Sequence, residues 1–196
     1  MIRLSLVGLV LLFISCGGGH ENHAEATAAV PEPMMIDSSQ WTVVDREMTP
    51  LVNAYFGLKN ALIEWDSTLA NQQAAVLKAA GDSLVADSTL PEALRSQVGS
   101  IAAEADGFIG DQNLEQKRRA FSMMSQQLLP LLKEINYKAQ PVYQQICPMA
   151  FNDTETAYWL SGEREISNPY LGKKHPKYAS GMLHCGELGD SLTRVP

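Results

Sequence analysis

The residues of this chain with the most chemical capacity sit at the two ends of one segment near the C-terminus. Cys147-Pro148-Met149 opens it, and Met182-Leu183-His184-Cys185 closes it. Two thiols, two thioethers and an imidazole are soft or borderline donors of the kind that a large, polarizable, low-charge ion such as Cu(I) prefers to hard oxygen. Methionine adds a donor that needs no deprotonation, although it is also common core filler. Zinc is the alternative ion, with Cys147, Cys185 and His184 as its donors. A plain disulfide between Cys147 and Cys185 competes with both readings. In the chain-entropy picture, closing a loop of this size contributes about 4 kcal/mol. Cys147 with His184 can be drawn as a nucleophile and base, but no third residue orients the pair and an oxidised cysteine cannot attack. Without a phosphate-binding glycine loop, a helical histidine pair or a haem-attachment motif either, the expectation is a protein that is not an enzyme.

Compartment bears on the choice between metal and disulfide. Residues 1–15 read as a signal segment: Met1 to Arg3 is a short charged start, and Leu4 to Ile14 is an apolar run too short to span a membrane comfortably. Phe13-Ile14-Ser15-Cys16 resembles the lipobox of bacterial lipoproteins. The resemblance implies cleavage before Cys16, lipid attachment to its sulfur, and anchorage on the periplasmic side of a membrane. Residues 16–40, with Gly17-Gly18-Gly19 and a tract rich in Ala, Glu, His and Pro, read as a flexible tether. Two of its residues, His20 and His23, would have to lose chain entropy to hold a metal and are expected to be solvated. With Cys16 assigned to the anchor, Cys147 and Cys185 remain as an even pair in an oxidising compartment.

The segment that carries the thiols has to be held by the rest of the chain. Its 196 residues suffice for one domain with a core, and a formal net charge of -7 with no basic block argues against nucleic acid as a partner. Trp41 to Val44 is expected to dock as a short apolar patch. A first helix is expected from Thr49 as cap and Pro50 as first residue, with Leu51, Tyr55, Leu58, Leu62, Trp65 and Leu69 forming one stripe. The second should run from about Asn71 to Ala86 around Leu77, Leu84 and Val85. Thr89-Leu90-Pro91-Glu92 reads as a capping box for a third, with Leu94, Val98, Ile101, Ala105 and Phe108 inward. Asn113-Leu114-Glu115-Gln116 opens the fourth, which should reach about Lys138 with Leu114, Phe121, Met124, Leu128, Leu131 and Ile135 on its core face and Pro130 kinking it. Lys117, Arg118 and Arg119 are expected on its solvated side. The resulting fold class is all-α: an antiparallel four-helix bundle followed by a turn-rich, aromatic segment, with the folded part at 41–190 and a tail at 191–196.

Four blocks in the last third carry a family resemblance: Cys147-Pro148-Met149-Ala150, Ala157-Tyr158-Trp159-Leu160-Ser161, Asn168-Pro169-Tyr170-Leu171-Gly172, and Met182 followed by Cys185-Gly186-Glu187. They resemble the signature of a bacterial domain of unknown function found in periplasmic and lipid-anchored proteins and fused to the adaptor subunit of copper and silver efflux pumps. The resemblance spans roughly residues 49 to 190 and implies a helical domain linked to heavy-metal handling, with Cys147, Met149, Met182 and Cys185 as the positions of interest. Thr156 departs from the pattern where glycine is usual. The stretch from Lys173 to Ser180 is longer than usual and brings in His175, whose lysine-flanked setting favours a surface residue over a ligand. The combined expectation is a lipid-anchored copper-binding accessory protein in which His184 adjusts affinity. The alternative is a disulfide-stapled helical module that binds a protein partner such as an efflux component.

Overall fold

A computed structural model describes residues 41–193, and the signal, Cys16 and tether expectations all lie outside them. Among the described residues are four helices, α1 (Trp41–Glu64), α2 (Ser67–Ala86), α3 (Glu92–Gly110) and α4 (Leu114–Glu134), followed by three strands, β1 (Val142–Phe151), β2 (Glu155–Ser161) and β3 (Glu187–Leu192). The all-α expectation is therefore wrong in its last third. The helical part stands: each helix packs on the next in sequence, and all five inward positions expected on α3 are fully buried. No described helix is long and apolar enough to cross a membrane.

Several helix boundaries move for local reasons. α1 begins at Trp41, so Thr49 and Pro50 lie inside it rather than at its start. Thr49 donates its hydroxyl to the carbonyl of Asp45 one turn back (2.6 Å) instead of capping. At the other end Trp65 takes a left-handed backbone (φ 60°). Asp66 N–H reaches Ala61 O and Trp65 N–H reaches Leu62 O, which closes the helix and starts α2 early. Leu69 consequently belongs to α2, where it is partly exposed rather than on the core face. Asp66 caps α2 through Leu69 N–H, and Asn113 caps α4 through the amides of Glu115 and Gln116. Thr89 does not cap α3; it bonds Asp87 instead. Pro130 leaves α4 unbroken to Glu134.

The basic cluster on α4 also departs from expectation, because two of its three cations are buried. Lys117 turns in under the end of α3 and donates to Phe108 O and to Asn71, so its ammonium satisfies carbonyls that the helix end leaves unpaired. Arg118 is likewise buried. Arg119 alone behaves as a surface residue, paired with Glu115 and Glu155.

The three strands form one antiparallel sheet in the order β2-β1-β3. Asn152 and Asp153 both adopt left-handed backbone and Thr154 N–H returns to Phe151 O, which makes a tight hairpin between β1 and β2. The sheet lies against α4 and α1 through β2. Tyr55 of α1 is the bolt: its ring stacks on Phe121 of α4 at 4.9 Å, and its hydroxyl bonds Ser125 (2.6 Å) and accepts from Leu160 N–H on β2 (3.0 Å). The outward amide of an edge strand is thereby satisfied inside the core.

Candidate functional site

Cys147 sits on the central strand, fully buried, and is paired across the ladder with Ala157 of β2. A methyl opposite the thiol leaves room on that face for a group from another part of the chain. Cys185, two residues before β3, comes up to Cys147, and the two sulfurs lie 3.0 Å apart, both as free thiols. Gly186 lets the chain pass this close. Its φ is +148°, and a Cβ there would come within 2.9 Å of Ile146 O and 3.0 Å of the Trp159 ring.

The long return from Ser161 to Cys185 is held by two buried amide side chains. Gln145, also on β1, donates to the carbonyls of Glu163, Arg164 and Glu165. Asn168 donates to Cys185 O (2.8 Å) and accepts from Tyr170 N–H (2.8 Å) and Leu171 N–H (3.0 Å). Its backbone amide adds a bond to Leu183 O. Asn168 thus positions the second cysteine, a role that residue type alone does not announce. An asparagine before proline reads in sequence as a turn signal.

The other expected donors are less convergent. Met149 and Met182 are partly buried and pack against the core. His184 is exposed, with Nδ1 bonded to Ile166 O at 2.7 Å. If Nδ1 carries the proton, Nε2 is left with the lone pair. Among the described residues no three His, Cys, Asp or Glu side chains are grouped so as to hold a metal ion. His175 belongs to a separate turn, where Nδ1 accepts from the amides of Lys177 and Tyr178 and the ring meets those of Trp65 and Tyr178.

Burial, and then the hydrogen bond and charge of Cys147, push the Cys185 thiol up to about 12. A thiol held protonated at neutral pH is a poor nucleophile. Binding a soft ion would have to displace its proton, which makes affinity rise with pH.

A family model described as "Protein of unknown function (DUF3347)" matches residues 51–140, from inside α1 through α4 to the short link before β1. The cysteines and the sheet lie beyond the matched span. No curated protein matches the chain, and no solved structure does.

Proposed function

We propose that this protein is a non-catalytic, heavy-metal-handling accessory that captures Cu(I) through the reduced thiols of Cys147 and Cys185. The observation that carries the reading is the 3.0 Å approach of two sulfurs from distant parts of the chain. Both can reach one ion with small side-chain rotations, and two thiolates suit a soft monovalent cation. Met149 and Met182 supply thioethers within a few residues of the thiols, and His184 modulates affinity from outside the pair. Lipid attachment at Cys16 would hold the domain on the periplasmic side of a membrane, where efflux components are the expected partners. The likeness of the four C-terminal blocks to proteins associated with copper and silver efflux supports this setting.

The same sulfur contact favours a second reading, in which an oxidising compartment joins the thiols and the cross-link staples β3 to β1 in a module that binds a protein partner. Anaerobically reduced protein titrated with Cu(I) against a chromogenic chelator separates the two. One ion bound per chain, lost in Cys147→Ser and Cys185→Ser and weakened in Met149→Leu, is the outcome expected for metal capture. Failure of the reduced protein to compete for Cu(I), together with a persistent disulfide in protein isolated from cells, removes the metal reading.

A further inference from the structure

We propose that the cavity beside Arg118 binds the carboxylate of a small organic acid with a flat apolar body. The site is separate from the thiols and does not depend on the copper reading. Arg118 is only 5% exposed, yet no carboxylate stands within ion-pair distance of it among the described residues. Its guanidinium lies over the Trp65 ring at 3.9 Å, and Nε donates to Pro169 O at 3.3 Å. Nη2 is buried with no partner. A buried guanidinium left one donor short is costly unless something completes it.

Next to this group is a cavity of about 350 Å³, lined by Arg118 with Trp65, Leu114, Phe151, Tyr170 and His175. That volume lies within the range of small-molecule sites, which combine apolar walls with a few fixed polar groups. Two acids also line it, but both are already engaged: Glu115 with Arg119, and Asp153 with Lys177 and Tyr178. Arg119 is shared between Glu115 and Glu155, and Arg118 is the cation lining the cavity that neither lining carboxylate pairs with. A lining cation without a carboxylate partner, set among aromatic walls, matches a monocarboxylate on a planar apolar body. A phosphate dianion would leave excess negative charge beside Glu115 and Asp153. Burial and the charge of Arg118 both lower the pKa of His175, as expected for a ring facing an unneutralised cation.

The test is calorimetric titration of the full chain with phenylacetate, its neutral analogue phenylacetamide, and inorganic phosphate, paired with NMR of the indole N–H groups. The expected result is that phenylacetate binds at least about tenfold tighter than the amide and than phosphate. The Trp65 indole should shift along the same isotherm while that of Trp159 stays still. Arg118→Met, whose melting temperature is checked first, should lose about tenfold or more of the phenylacetate affinity and bind acid and amide alike. Equal affinity for acid and amide in the natural protein overturns the proposal, as does unaltered binding by a folded Arg118→Met variant. Should Arg118→Met fail to fold, the acid-against-amide comparison decides alone. Phosphate binding as tight as phenylacetate would overturn the organic-acid assignment and leave a bare anion hole.

Discussion

At the scale of single residues, the polar side chains in the core matter as much as the apolar ones. Tyr55 satisfies Leu160 N–H with one hydroxyl. Tyr55→Phe keeps the ring stack and strands that amide, so a loss of about 1–3 kcal/mol is expected, read from urea midpoints at unchanged m-value. Asn168 makes three side-chain bonds to backbone groups in and around the Cys185 loop. Asn168→Ala should cost about 2 kcal/mol or more, and alkylation of Cys185 under native conditions should speed up, because the loop that presents the thiol is no longer held. Unchanged alkylation would mean that β3 alone places Cys185.

At the scale of elements, Gly172 sits at the meeting of α1 with the C-terminal loops. It has φ +49°, and a Cβ would lie 2.3 Å from Trp65 Nε1 and 2.8 Å from Ile63 O. Gly172→Ala is expected to lower stability by more than about 1 kcal/mol, seen as a lower melting temperature, because both the backbone angle and the space are wrong for a methyl. Helices were legible in the sequence wherever apolar spacing repeats, as in Leu94, Val98, Ile101, Ala105 and Phe108. Their ends were less so. Trp65 in a left-handed turn hides a helix stop, because glycine or asparagine is the usual signal there. The strands were missed because β1 is buried on parts of both faces, so Val142, Gln145, Cys147 and Ala150 give no clean alternation. Asn152-Asp153 between Phe151 and Glu155 was the available hairpin signal. The approach of Cys147 to Cys185 followed from cysteine arithmetic, whereas their bonding did not. The burial of Arg118 was not, since its neighbours Lys117 and Arg119 make it look like part of a charged face.

At the scale of the whole molecule, the buried phenols set an upper pH limit. Burial pushes Tyr55 and Tyr170 above the ordinary tyrosine range. Their folded pKa values exceed the unfolded value of about 10, so the folded state holds more protons there. The stability they protect is present below pH ~10 and is lost as pH rises beyond it. Thermal melts should fall steeply above pH ~10, with tyrosinate absorbance appearing together with unfolding rather than before it. Tyrosinate developing in a still-folded protein would contradict this.

The strand order β2-β1-β3 carries an expectation about the order of folding. The β1–β2 hairpin is local, whereas β3 can join β1 only after the chain from Ser161 to Glu187 has folded back. Pairings between distant residues form late because loop closure must come first. The meeting of Cys147 with Cys185 is therefore a clock for the final step. A refolding chain is expected to form the hairpin before β3 docks, and pulse-labelling should then find Cys147 still reactive after the helices have formed.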